Sequence, residues 1–209
     1  LQILAATALA HGGDYCDLYF EHTTFFNLLL KDGVVSSGGF HTDFGVGIRV
    51  LKGEKTGYAY SENTEMTDML NAARAASAIA TGSSAGGRTY AKVADRKSDF
   101  YPMKENWRAK GSDSFLPFMK DLETAVFSKD SRIVKVIIRM SDSVCDVMMY
   151  NSLGELTYET RPMGSVTVTA VFQQNGKTEN RSVSRSFRTG TDRPIAPGRA
   201  CRGRSQGHR

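Results

Sequence analysis

The sequence predicts an α+β fold, with antiparallel or mixed β-sheets, helices packed on one face, and a disordered basic tail. Three observations carry this. Helix-period apolar stripes occur near Leu1–Ala10, Met66–Ala80 and Phe115–Phe127. Runs of β-branched and aromatic residues follow the helical stretches. The dipeptides Asp32-Gly33 and Asn175-Gly176 sit between such runs, where a two-residue hairpin needs them.

Taken in order, Leu1, Leu4, Ala5, Ala8 and Leu9 form one helical stripe, stopped by Gly12-Gly13. The apolar start lacks a basic leader, so an amphipathic helix is preferred to a signal peptide. Cys16–His22 and Phe25–Lys31 read as two paired strands, and Val34-Val35 leads toward Phe40. Asp43–Tyr60 reads as a hairpin around Lys52-Gly53-Glu54-Lys55. Gly45, Gly47 and Gly57 weaken its strands and either mark a bulge or a close backbone approach or only relieve crowding between strands.

Asn63 or Thr64 can cap a helix through Ala80 whose face, Met66, Met69, Leu70, Ala73 and Ala76, suits close packing on a sheet. From Thr81 to Asp113 the pattern dissolves into a polar, glycine-rich connection. Ser114 can cap a second helix with Pro117 in its first turn and Phe115, Phe118, Met119, Leu122 and Val126 on its stripe. Four β segments follow, Ile133–Met140, Val144–Tyr150, Glu155–Arg161 and Ser165–Gln173. Lys177–Phe187 returns as a last strand after Asn175-Gly176. The expected organisation is a domain over residues 1–190, divisible into halves 1–81 and 114–190 joined by 82–113, and a tail over 191–209.

The formal net charge is +5, but it is unevenly placed. Eight arginines from Arg181 to Arg209 face only Asp192, and the rest of the chain is slightly acidic. The tail is rich in Arg, Gly, Pro and Ser without periodicity, which predicts disorder. It lacks interleaved aromatics or a fold motif, so nucleic acid is not the expected partner. Cys16, Cys145 and Cys201 form no close pair, which favours a reducing, cytoplasmic setting. No apolar run approaches the roughly 20 residues of a membrane helix.

No catalytic or metal-ligating constellation is present. His11, His22, His41 and His208 never lie three to five residues apart, as helical zinc ligands would. There is no P-loop, dinucleotide fingerprint or serine elbow. Gly82–Gly87 lacks the lysine and the strand–helix context of a phosphate cradle. Asp14 and Asp17 read as a cap and a solvated strand start, and Cys16 and Cys145 as core residues.

The blocks Gly13-Asp14-Tyr15-Cys16-Asp17-Leu18-Tyr19-Phe20-Glu21 and Asp43–Tyr60 resemble the amino-terminal region of the TldD/PmbA family, also called modulators of DNA gyrase, and are closer to its TldD type. The resemblance covers about Leu1 to Gly190. It implies an α+β amino-terminal domain of a zinc metallopeptidase that works on unfolded peptides, paired with an identical or TldE/PmbA-type subunit. In the family the His-Glu-x-x-x-His motif and a later Cys lie in a carboxy-terminal domain, so no residue here inherits a catalytic or metal role. Zinc is expected only in a longer parent. The break in composition near Gly190 suggests a shifted reading frame or, alternatively, a real basic tail. The role the resemblance implies is to shape substrate, held as an added strand, and to assemble subunits; the expectation drawn from this hairpin's own residues is that Gly45, Gly47 and Gly57 let the peptide backbone approach. The alternative is a stand-alone interaction module that regulates a peptidase subunit.

Overall fold

The computed structural model describes residues 1–81, 94–98, 101–103 and 106–188. Its elements are α1 (Gln2–Ala8), β1 (Tyr15–Lys31), β2 (Val34–Lys52), β3 (Lys55–Ser61), α2 (Met66–Ile79), β4 (Ala94–Ser98), a 3-10 turn (Trp107–Ala109), α3 (Ser112–Phe127), β5 (Ile133–Asn151), β6 (Glu155–Gln174) and β7 (Lys177–Phe187). The strands run β3-β2-β1-β5-β6-β4, and β7 also pairs with β6. β2–β3 and β6–β7 are antiparallel, whereas β4 lies parallel to β6, so the sheet is mixed.

Both dipeptide turns form as expected. Asp32 and Gly33 have φ of 53° and 76°, and Asn175 and Gly176 have 52° and 74°. Two consecutive positive φ values define the turn that matches strand twist. The buried Glu123 of α3 accepts a hydrogen bond from the Gly33 amide at 2.8 Å, fixing the first turn from below.

The strands are longer than the sequence pattern indicates. Cys16–His22 and Phe25–Lys31 are one strand, the stretch from Val34 joins the first half of the Asp43 hairpin in β2, and the four later segments are the two strands β5 and β6. Polar residues do not break them because their hydroxyls are bonded. Thr23 donates to Glu21, Thr24 donates to the Val144 carbonyl, and Ser141 pairs with Ser165. Pro162 is tolerated because β4 pairs with β6 only as far as Glu159 and β7 only from Gly164, so no described strand needs its missing N–H on that side.

The helices differ at their starts. α2 begins at Met66 after Glu65, without a side-chain cap; Asn63 instead accepts from the Glu65 amide in the preceding turn. α3 begins at Ser112 after Gly111, which moves Pro117 beyond the first turn. The 81–113 connection is not featureless, since it holds β4 and the buried Trp107. Residues 82–93 and the tail beyond 188 lie outside the described residues.

Two compact units form, each from three separate stretches of chain. The first unit comprises Leu1–Thr23, Thr42–Phe100 and Cys145–Arg161; the second comprises Thr24–His41, Tyr101–Val144 and Pro162–Arg209. In the first unit, α1 and α2 cover one sheet face. Leu4, Ala5 and Ala8 join Cys16, Leu18, Val46, Ile48, Val50, Ala73, Ala76 and Tyr150 in its core. In the second, α3 packs Phe115, Met119, Leu122 and Val126 on Phe26, Leu28, Val136, Ile138, Met140 and Val168.

Candidate functional site

In the first unit the strands alternate strictly. Cys16, Leu18, Val46, Ile48 and Val50 face the helices, and the intervening residues face away from them. That face, which no element among the described residues covers, carries a groove of about 480 Å³ lined by Tyr15, Asp17, Tyr19, Gly47, Arg49, Tyr58, Met149, Asn151, Glu155 and Thr157. A shallower depression of about 310 Å³ adjoins it through Tyr19, Gly47 and Tyr58 and adds Glu21, Asp43, Phe44, Gly45, Tyr60 and Glu62.

The three glycines singled out by the sequence divide between the faces. Gly57 is buried on the covered face, where a β-carbon would fall 2.0 Å from the Ala76 carbonyl oxygen. It is glycine so that α2 can lie against β3. Gly45 and Gly47 line the uncovered face. A β-carbon at Gly45 would lie 2.7 Å from the Ser61 carbonyl oxygen, and one at Gly47 would lie 2.7 Å from the Tyr58 hydroxyl. The close approaches are therefore made by the chain itself, and Gly47 makes room for the Tyr58 ring.

The groove residues that sequence reading missed are Tyr15, Asp17, Tyr19, Arg49 and Tyr58. The signal was the alternation Tyr15-x-Asp17-x-Tyr19-x-Glu21 opposite Cys16-x-Leu18-x-Phe20. Arg49 donates through Nε at 3.0 Å and Nη2 at 2.5 Å to one oxygen of Asp17, and this bond raises the guanidinium pKa. Asp14 is likewise bonded, accepting from Lys52 Nζ and the Gly53 amide. Burial pushes the Tyr15 phenol up and Asp17 adds to this, opposed by a hydrogen bond with Asn151. Burial pushes Tyr19 up to about 12, reinforced by its hydrogen bond to Glu21 Oε2 at 3.0 Å and by the charge there. Both phenols stay neutral donors at physiological pH.

Cys145 is half-buried near Thr23, Glu21 and Arg161 instead of lying in the core. Burial raises its pKa and Glu21 adds to this, against a hydrogen bond with Thr23 and the charge of Arg161. It is a neutral thiol rather than an activated nucleophile. Cys16 is fully buried. His11 pairs with Ser77, and His41 stacks on Phe25. Among the described residues no three His, Cys, Asp or Glu converge as a metal site requires, so they do not fit a zinc ion. No helix among them is long and apolar enough to cross a membrane.

Comparison with known proteins gives a consistent result. Residues 16–80 match the family description "PmbA/TldA metallopeptidase domain 1", and residues 105–194 match "PmbA/TldA metallopeptidase central domain". A "Metalloprotease TldD homolog" of Haemophilus influenzae is 27% identical over 184 residues, covering 86% of this chain and 37% of that protein. The homolog of Buchnera aphidicola from Acyrthosiphon pisum is 25% identical, covering 79% of this chain and 34% of its own. The chain thus spans about a third of the length of these curated relatives. The fold is shared with a Thermotoga maritima protein named for modulation of a DNA gyrase (TM-score 0.72, 20% identity, 94% of this chain and 44% of that one). It is shared also with TldE from Thermococcus kodakarensis (TM-score 0.66, 13% identity, 90% and 42%). The chain belongs to the PmbA/TldD metallopeptidase family and carries its first and central domains.

Proposed function

We propose that this chain is the amino-terminal part of a TldD-type zinc metallopeptidase acting on unfolded peptides, inactive by itself, and that the uncovered face of its first unit holds the peptide in extended form. The observation that supports this is the groove walled by Tyr15, Tyr19 and Tyr58 over the Arg49–Asp17 pair. Aromatic rings give an unfolded chain large contact area at low entropy cost, and the exposed Tyr58 hydroxyl offers a hydrogen bond to its main chain. Gly47 seats the Tyr58 ring and so sets the shape of the groove wall.

Zinc and the residues of hydrolysis would come from outside the described residues, and no step here depends on them. The setting is cytoplasmic, with reduced thiols. A second subunit, identical or of TldE/PmbA type, would complete the assembly.

One observation favours the alternative of a stand-alone interaction module. In the second unit, Val34–His41 of β2 have β1 on one side and no described strand on the other, since β3 pairs with β2 only from Val46. Val34 and Phe40 are exposed there. A free apolar edge is a template for a partner's strand.

The test is Gly47→Val, measured by fluorescence anisotropy of a labelled unstructured peptide on the 209-residue chain. Valine would drive the Tyr58 ring from its seat into the groove while leaving the core intact. Binding is expected to weaken about tenfold or more with an unchanged circular dichroism spectrum. Unchanged binding would contradict the reading.

A further inference from the structure

The peptide reading leaves open which sequences the face prefers, and its charge decides that. Across the groove and the adjoining depression the lining carries five carboxylates, Asp17, Glu21, Asp43, Glu62 and Glu155, against the single guanidinium of Arg49. Arg49 is already committed to Asp17. Asp43 and Glu62 make no ion pair among the described residues, and both are exposed. The same lining holds Tyr15, Tyr19, Phe44, Tyr58 and Tyr60, and Phe44, Tyr58 and Tyr60 are more than half exposed.

Rings beside carboxylates are the surroundings in which a lysine or arginine side chain gains twice. The cation lies against a ring face, and its charge meets a carboxylate at the same contact. An acidic segment would instead meet like charge across most of the depression. Resting on the peptide reading above, we infer that the uncovered face of the first unit selects extended peptide segments bearing lysine or arginine.

The experiment uses three labelled, unstructured peptides of equal length, one lysine-rich, one uncharged and one glutamate-rich, titrated onto the 209-residue chain at low salt and at about 0.3 M salt. The basic peptide is expected to bind about tenfold tighter than the uncharged one at low salt, with most of that advantage lost at high salt. Asp43→Asn combined with Glu62→Gln is expected to cut the advantage, read as the ratio of basic to uncharged affinity within the variant, by about threefold or more. Both positions are exposed, so the fold does not depend on them. Equal binding of basic and uncharged peptides would overturn the charge preference and leave the peptide reading standing. Absence of binding by all three would overturn both. A basic preference untouched by the double substitution would place the selecting charge elsewhere and overturn the assignment to this face.

Discussion

The two units lay a helix on a sheet with opposite choices of side chain. In the first, α2 presents Ala72, Ala73 and Ala76 to the strands, and at Gly57 the strand and helix backbones nearly touch. In the second, α3 presents Phe115, Met119, Leu122 and Val126 to Phe26, Leu28 and Ile138, with Trp107 edge-on to Phe187. The aromatic residues are placed accordingly. The second unit buries Phe26, Phe115 and Trp107, whereas the first buries Tyr150 and sets Tyr15, Tyr19, Tyr58 and Tyr60 along its uncovered face. A thin, alanine-packed seam leaves large side chains available for recognition, and a thick one uses them for cohesion.

The sharpest way to break this comparison is Gly57→Val. Any β-carbon there collides with helix backbone rather than with a movable side chain. The cost is expected to exceed about 4 kcal/mol, read as loss of the cooperative unfolding transition. In the bulky seam, Met119→Ala removes a fully buried side chain and should cost about 2–4 kcal/mol in a urea titration.

A third substitution sharpens the contrast by adding stability. Asp142 is buried in the second unit beside Trp107, Lys110, Phe115, Met140 and Phe187, and its Oδ2 has no hydrogen-bond partner among the described residues. Burial pushes its pKa up to about 6, against the opposing charge of Lys110. A raised carboxyl pKa means that the folded state holds the proton more tightly than the unfolded chain. Its contribution is therefore complete below about pH 4 and lost as pH rises through about 6. Asp142→Asn should stabilise the protein by about 1–2 kcal/mol at pH 7.5, after discounting for solvent and Lys110, and by nothing at pH 4. Thermal melts at the two pH values check the sign.

The smallest effect is expected at Gly47→Ala, where the added methyl meets only the movable end of Tyr58. Its stability change should stay within about 1 kcal/mol. The same small residue at three nearby positions thus separates a packing role at Gly57 and Gly45 from a groove-shaping role at Gly47.

Much of the fold was legible where local chemistry decides it. Asp32-Gly33 and Asn175-Gly176 turn where their dipeptides predict, β7 spans Lys177–Phe187, and the α1 stripe buries Leu4, Ala5 and Ala8. Strand lengths were not legible, because Thr23, Thr24 and Ser141 look like turn residues until their hydrogen bonds are known, the first to Glu21 on its own strand and the others to Val144 and Ser165 on neighbouring strands. The start of α3 was missed for the opposite reason, since Gly111 precedes the helix without any side-chain cap to signal it. Of the site, the glycines drew notice as backbone features, but the tyrosines did not. Tyrosines at alternate positions can be placed along a groove only once the opposite face is known to be covered.

The central claim is that the uncovered face of the first unit receives an extended peptide. Hydrogen exchange of the 209-residue chain with and without a saturating unstructured lysine-rich peptide tests it most directly. The account predicts added protection over Tyr15–Glu21, Asp43–Arg49 and Tyr58–Glu62, with no change along α3. Protection confined to the second unit, or none in those three segments while the peptide is bound, would contradict it.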